Sequence, residues 1–380
     1  MLIGIDGNEA NVKNKVGSNT YAFEILRELK KRNSNTEYLI YLKKKQRPDL
    51  PLQSKNWHYK ILKPERLWTQ FRLPLELFFS TIKPHLLFSP GHYGPRFCPM
   101  PLVISIMDLA FLRFPEQFRK KDLFTLSSWT KYSVKKAKKI LTISEATKKD
   151  IIKYYQVEPE KILVTYPGYD RKKFKETKDL LRIKKTLDKF NLKSQYIIYV
   201  GTIQPRKNLE KLIEAFAEVI NCVNYPLALV IIGKKGWLYE SVFQKPEQLK
   251  IEEKVLFLDF IKSNELAHLL NSALCFVLPS LYEGFGIPVL EAMACGTPVV
   301  LSNGSSLPEV AGDLGIYVDP QKKDDIAKGI IKAIKIRKSG NYQVFKNRLI
   351  AKAQKFSWDK CGEKTYNLLQ EVAYDVAFQK

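Results

Sequence analysis

Histidine is scarce in this chain of 380 residues, with 4 copies, and the 5 cysteines (Cys98, Cys222, Cys275, Cys295, Cys361) include no Cys-x-x-Cys pair. An odd number of thiols at unrelated spacings excludes a disulfide framework and a zinc site. Cys222, Cys275 and Cys295 fall beside or inside apolar stretches, where a reduced thiol acts as a small hydrophobe. No Asp-x-Asp pair stands beside a strand, so no metal is expected. No apolar run approaches the ~18 residues of a membrane-spanning helix. Met1–Asp6 lacks the basic and apolar regions of a signal peptide and reads as a first strand, which predicts a cytoplasmic protein. No Gly-x-Gly-x-x-Gly follows a strand, which disfavours a nicotinamide dehydrogenase. Acidic residues are also in deficit, 39 against 63 Lys and Arg, leaving a net charge of +24. That charge predicts attraction to nucleic acid, anionic lipid or phosphorylated substrates. No RNP-like aromatic strand, zinc finger or helix-turn-helix stands out, so nucleic acid is not the expected partner.

What is present is an alternation of strands and helices. Leu2–Asp6, Glu37–Leu42, His58–Leu62, Leu86–Ser89, Leu102–Met107, Ile140–Ile143 and Ile162–Thr165 read as strands. Helices are predicted at Ser18–Arg32, Leu67–Ile82 (kinked at Pro74), Gln117–Lys138 and Glu145–Tyr155. Tyr166-Pro167-Gly168-Tyr169-Asp170 breaks the pattern ahead of a charge-dense stretch, Arg171–Lys189. A second series follows, with strands at Tyr196–Val200, Leu227–Ile232, Val255–Phe260, Ala273–Leu278 and Ile316–Val318 and a final helix after Phe356-Ser357-Trp358. Such alternation means parallel sheets covered on both faces. The expected domains are 1–168, 169–357 and a C-terminal helix, 358–380.

The most informative stretch is Pro279–Val300: a strand end, a loop with Gly284 and Gly286, a helix opening at Pro288, Gly296 at its stop, then a new strand. The glycines let backbone N–H groups approach a ligand, and the positive end of the helix points the same way. Glu283 and Glu291 bracket this anion cradle with seven residues between them. Carboxylates beside a phosphate would be repelled, so hydrogen bonds from neutral hydroxyls of a sugar and a ribose fit them better. The competing reading makes Glu283 a loop cap and leaves Glu291 on a solvated helix face.

This stretch resembles the Glu-x7-Glu signature of the retaining nucleotide-sugar glycosyltransferases of the GT-B fold, glycosyltransferase family 4 (group 1). The resemblance covers nearly the whole chain. It implies an α/β fold of two doubly wound, Rossmann-like domains facing a central cleft, each lobe offering an electropositive mouth, with the C-terminal helix crossing back to the first domain. Gly201-Thr202-Ile203-Gln204-Pro205-Arg206-Lys207-Asn208 resembles the family's diphosphate loop, so Arg206 and Lys207 are expected to hold the diphosphate as it leaves. Lys234 and the pair Phe260-Ile261 follow the next strands and are expected near the nucleotide, together with Phe285 of the glycine loop. In the first domain Gly17 precedes a helix expected to be capped by Ser18 or Asn19, and the family sets this loop against diphosphate and acceptor.

One position departs from the family. Similar enzymes carry His-Asp after the strand Val103–Met107, and this chain has Met107-Asp108. Methionine makes no strong hydrogen bond. Asp108 remains a candidate contact, and His92 could supply an imidazole from the preceding strand end. Trp68, Phe71, Leu75 and Phe78/Phe79 recur at helical spacing with Lys63, Arg66, Arg72 and Lys83 around them. They read as a core-facing stripe, with a membrane-surface patch as the alternative; Lys131, Lys135 and Lys139 raise the same question. The resulting expectation is a retaining, metal-independent hexosyltransferase without a cofactor. It would use GDP-mannose, or alternatively a UDP-sugar, and a glycan or lipid-linked acceptor in cell-surface polysaccharide synthesis, at the inner face of the membrane. A catalytically weak relative acting as a scaffold and a nucleic-acid binder are the competing readings.

Overall fold

The computed structural model describes residues 1–32 and 35–378, with side chains through residue 376. It divides into two compact units, one formed by Met1–Gly168 with Ser357–Lys380 and the other by Tyr169–Phe356.

The first unit holds a 7-stranded sheet. Its strands are β1 (Leu2–Asp6), β2 (Glu37–Leu42), β3 (Trp57–Ile61), β4 (Leu86–Ser89), β5 (Leu102–Ile106), β6 (Lys139–Thr142) and β7 (Ile162–Val164). They lie in the order β3-β2-β1-β4-β5-β6-β7, every pairing parallel. Central strands buried on both faces need continuous apolar runs, and β4 and β5 are buried at every residue. The last helix, Trp358–Phe378, belongs to this unit. It packs on the helix Ser18–Lys31, with Trp358 edge-on to Tyr21 and Cys361 Sγ directed at the Thr165 carbonyl.

The second unit carries a 6-stranded parallel sheet in the order β10-β9-β8-β11-β12-β13. The strands are β8 (Gln195–Val200), β9 (Leu227–Ile232), β10 (Val255–Leu258), β11 (Phe276–Leu278), β12 (Val299–Ser302) and β13 (Ile316–Val318). The charge-dense stretch before β8 contains a helix, Leu180–Lys189, joined to the helix Ser263–Ser272 by the Thr186–His268 hydrogen bond of 2.7 Å. In each sheet the strand order reverses once, between β1 and β4 and between β8 and β11. Doubly wound sheets bind ligands beyond the strand ends at such points.

Several expectations are corrected. The helix predicted over 67–82 is a π-helical turn, Trp68–Arg72, followed by Leu73–Phe79, because Pro74 has no N–H to continue the ladder behind it. The helix predicted over 117–138 runs only from Lys120 to Lys136. Lys139 therefore lies on β6, its ammonium 3.3 Å from the Glu160 carbonyl, and does not extend the face of Lys131 and Lys135. β10 stops at Leu258, so Phe260 and Ile261 stand in the loop beyond it. Cys222 is exposed, while Cys275 and Cys295 are buried as expected. Among the described residues no helix is long and apolar enough to cross a membrane.

Candidate functional site

In the second unit the loops after β8 and β11 are stitched together. Pro205–Lys207 forms a tight turn, and Asn208 leaves it in the left-handed conformation at φ 58°. Asn208 Nδ2 donates to the carbonyls of Pro279 at 3.1 Å and Pro320 at 2.6 Å. Leu281 N–H donates to the Arg206 carbonyl at 2.9 Å, and the Arg206 guanidinium donates to the Tyr282 carbonyl. Sequence expectation separated a cationic pair from a sugar-gripping carboxylate. The structure joins them: Lys207 Nζ is 2.5 Å from Glu283 Oε1, and Arg206 Nη1 is 3.5 Å from Oε2. Ser280 Oγ adds a 2.6 Å hydrogen bond to Oε1. Part of the acceptor capacity of Glu283 is thus taken by cations, a pairing that the sequence expectation did not include.

Burial alone would raise the Glu283 pKa, but the charges of Lys207 and Arg206 outweigh it and hold the carboxyl below its ordinary range. Beneath them Tyr199 is fully buried, and its hydroxyl is pushed well up by burial and by Glu283.

The glycine loop is built as its sequence indicates. Gly286 precedes the helix Ile287–Ala294 at φ 103°, where a Cβ would stand 3.0 Å from Leu307 Cδ2. Glycine is the residue that takes this backbone without strain. Phe285 is buried edge-on to Phe356, so its side chain is a packing element and any ligand contact falls to its backbone. Gly284 is buried beside it. Glu291 lies half-buried in the second turn of that helix. Its pKa is pushed up to about 8, first by burial and then by Asp170, with Lys173 opposing. Glu291 is thus partly withdrawn from water, and a carboxyl shifted towards its protonated form can both donate and accept hydrogen bonds.

Lys234, after β9, lies 5.4 Å from the centroid of the Phe260 ring, which is itself exposed, and Ile261 is half-buried beside it. The two loop ends expected near a nucleotide thus meet each other. Gly233 sits so close to β8 that a Cβ would fall 1.8 Å from the Gly201 carbonyl oxygen.

Some residues escaped the sequence reading. Ser305 Oγ accepts from Glu283 N–H at 3.0 Å, and Ser306 Oγ donates to the carbonyls of Glu283 and Phe285. Their only signal was a Ser-Asn-Gly-Ser-Ser run after an apolar strand. Gln204 is buried with its Oε1 unpartnered, and a buried amide oxygen in that state is a candidate ligand contact.

In the first unit Gly17 itself occupies the cap position of the helix Ser18–Lys31, at φ 51°, so neither Ser18 nor Asn19 caps it. Asn19 Nδ2 and Ser18 Oγ instead donate to Glu9, at 2.8 and 3.3 Å. An electropositive mouth was expected here. The sheet edge carries the carboxylates Asp6, Glu9 and Asp108, with Lys43 close enough to act on Asp6, while Lys15 pairs with Asp49 at 2.5 Å. Asp6 is raised to about 6 by burial, with hydrogen bonds from Asn8 opposing.

His92 stands at this edge with its ring edge-on to Phe111 and Nδ1 buried without a partner. Burial lowers its pKa against the opposing pull of Asp108 and Glu9, which favours a neutral imidazole. One Asp108 oxygen accepts the Ala110 N–H at 3.0 Å. Met107 is buried, and its carbonyl accepts from Thr147 Oγ1 at 3.3 Å.

A concavity of about 920 Å³ in the second unit lies elsewhere, between the helices Leu209–Cys222 and Lys323–Lys338. It is lined by mixed charges such as Lys211, Glu214 and Lys328 and shares none of the residues above. The strand-end loops, with their fixed cations and glycine turn, have the chemistry that this shallow groove lacks.

Comparison with known proteins agrees with this fold. The family model described as Glycosyl transferases group 1 matches residues 183–355, and that described as Glycosyltransferase Family 4 matches residues 16–173. The O-antigen chain mannosyltransferase B of Escherichia coli is 30% identical over 81% of this chain and 78% of its own length. The O-antigen chain mannosyltransferase RfbU of Salmonella typhimurium is 33% identical over 57% of this chain and 56% of its own. Among solved structures, Anabaena HepE in complex with UDP-glucose superposes with a TM-score of 0.75 at 18% identity, covering 97% of this chain and 99% of that one.

Proposed function

This chain belongs to the group 1, family 4 glycosyltransferases, with the GT-B fold, and from that premise we propose that it transfers a mannose-type hexose from a nucleoside-diphosphate sugar. The acceptor in this reading is a glycan or lipid-linked sugar in cell-surface polysaccharide synthesis, and the anomeric configuration is retained. One observation carries the proposal: Arg206, Lys207 and Glu283 converge at the β8/β11 reversal beside a glycine-led helix start. The sugar identity follows the mannosyltransferase relatives, with GDP-mannose as donor. The UDP-glucose held by the Anabaena structure makes a UDP-sugar the competing donor.

In this mechanism Arg206 and Lys207 bind the diphosphate and stabilise its charge as its bond to the anomeric carbon breaks. They do so without a metal. The acceptor hydroxyl forms the new C–O bond on the same face and gives its proton to the departing phosphate oxygen. Glu283 orients both cations through its ion pairs and takes a sugar hydroxyl on its remaining acceptor capacity. The backbone of Gly284–Gly286 and the helix start behind it receive a phosphate oxygen. Glu291 meets the ribose diol, and Lys234, Phe260 and Ile261 border the base. In the first unit the carboxylates around His92 suit neutral acceptor hydroxyls better than a second phosphate. Gly17 opens the helix start there, and Asp108 and His92 make the polar contacts that Met107 cannot.

The test is donor hydrolysis by the purified protein with GDP-mannose and UDP-glucose, with and without chelator. Turnover abolished by Glu283→Ala and by Arg206→Ala supports the reading, and NMR of the first-formed anomer tests retention. A second reading rests on Met107: a relative that binds nucleotide sugars without turning them over. Calorimetric binding of GDP-mannose without hydrolysis or transfer would favour it.

A further inference from the structure

The segment Leu67–Ile82 is apolar on both sides. One side is core: Trp68, Leu73 and Leu77 pack with Leu62, Leu102 and Val134, and Trp68 Nε1 donates to the Leu62 carbonyl at 3.0 Å. The stripe expected to face inward, however, splits between two faces. Phe71, Leu75, Phe78 and Phe79 point outward, Phe79 with 82% and Phe71 with 60% of its surface exposed, and Leu67 and Ile82 continue the open face. Buried Gln70 ties a second element to this face, because its Oε1 accepts the Arg96 N–H at 3.1 Å and the next residue, Phe97, is 64% exposed.

Open aromatic side chains gathered on one rigid ridge are uncommon on a protein that stays in water. A short helix with a second, uncovered apolar face needs an apolar medium on the side its own core does not cover. The rim decides which medium. Five cations (Lys60, Lys63, Arg66, Arg72, Lys83) against two carboxylates (Glu65, Glu76) fall within residues 60–83. Glu76 is already shared by Lys60 at 2.5 Å and Arg72 at 3.2 Å, and Glu65 by Lys63 at 2.6 Å. The remaining charge on the rim is positive. Two copies of this face brought together would oppose like charges. An anionic bilayer offers acyl chains to the ridge and negative headgroups to the rim.

We propose that the Leu67–Ile82 ridge docks the protein onto an anionic lipid bilayer, with Phe71, Phe78 and Phe79 entering the interface and Lys63, Arg66 and Lys83 at headgroup level. The docking shares no residue with the donor chemistry proposed above, so each can fail alone.

The experiment is flotation of the full chain with phosphatidylcholine vesicles, with or without one quarter phosphatidylglycerol. Wild type floats with the anionic vesicles and much less with the neutral ones. Phe71→Ser with Phe79→Ser lowers the bound fraction at least ~10-fold, and Lys63→Glu with Arg66→Glu and Lys83→Glu does the same. Unchanged melting temperature and donor hydrolysis show that both variants are folded. The proposal is overturned if wild type does not float, or if the serine variant still does. It is also overturned if wild type sediments as a dimer that the serine substitutions dissolve, since a second copy then covers the ridge.

Discussion

Lys207 Nζ and Glu283 Oε1 lie 2.5 Å apart, with 13% and 8% of their side chains exposed. Two charges so nearly withdrawn from water are tolerated because each is the other's partner. The pair also gives the donor loop a fixed shape, since Glu283 holds Lys207, Arg206 and Ser280 at once.

Replacing Glu283 by Gln should therefore damage stability as well as turnover. Removing one partner of a buried pair costs about 3–5 kcal/mol because the other charge is stranded. Lys207→Met added to Glu283→Gln should recover much of that loss in urea melts while turnover stays absent. The sign with pH follows from the depressed Glu283 pKa. Its contribution is present above the unfolded carboxyl value and is lost as pH falls through the lower folded value. The stability gap between wild type and Glu283→Gln should thus close in acid. A gap that widens there would refute the assignment.

Glu291 behaves oppositely. Its folded pKa, raised to about 8, means that the native state holds a proton that the unfolded chain releases at lower pH. The stabilising contribution is complete below the unfolded carboxyl value and is lost as pH rises through about 8. Melting temperatures of Glu291→Gln and wild type should match near pH 4, with the variant pulling ahead by several degrees at alkaline pH. Equal pH profiles for the two proteins would contradict this.

Two glycines should differ in what alanine does to them. At Gly286 the obstacle is φ 103° plus a Leu307 methyl that can shift, so Gly286→Ala should cost about 1–3 kcal/mol and weaken nucleotide binding. At Gly233 the obstacle is the Gly201 carbonyl oxygen, backbone that cannot rotate aside. Gly233→Ala should part the ends of β8 and β9 and yield far less soluble protein. Similar yields and melting curves for the two variants would argue against this ranking.

His92 and Met107 can be separated by kinetics. Met107→Leu preserves buried volume and should leave transfer within about 2-fold of wild type. His92→Leu should lower acceptor-dependent kcat at least ~10-fold and remove the acid limb of its pH profile, with donor hydrolysis less affected. A silent His92→Leu would leave the imbalance at Met107 uncompensated and favour the binding-only relative.

Much of this architecture was legible because its determinants are local. Strands buried on both faces must be apolar throughout, so β4, β8 and β9 stand out in the sequence, and Pro288 and Gly296 bracket a helix through backbone sterics alone. The two faces of the Leu67–Ile82 stripe are indistinguishable in sequence for an equally physical reason. Helical periodicity reports that a face is apolar, and where Trp68, Leu73 and Leu77 form one such face and Phe71, Leu75 and Phe79 another, it cannot say which is inside. At the sheet edge of the first unit the carboxylates Asp6, Glu9 and Asp108 gather around His92, and Lys15 pairs with Asp49 across 34 positions of chain, contacts that no local pattern encodes.

The residues alone thus determined which segments are strands, where the glycine loop turns and which side chains bring charge to strand ends. Each of these depends on neighbours a few positions away. Tertiary structure decided that β8 lies beside β11, and with it that Lys207 meets Glu283 across 76 positions and that Ser305 and Ser306 close the loop. Sheet order arises from the packing of whole elements, and local sequence does not encode which strand becomes the neighbour.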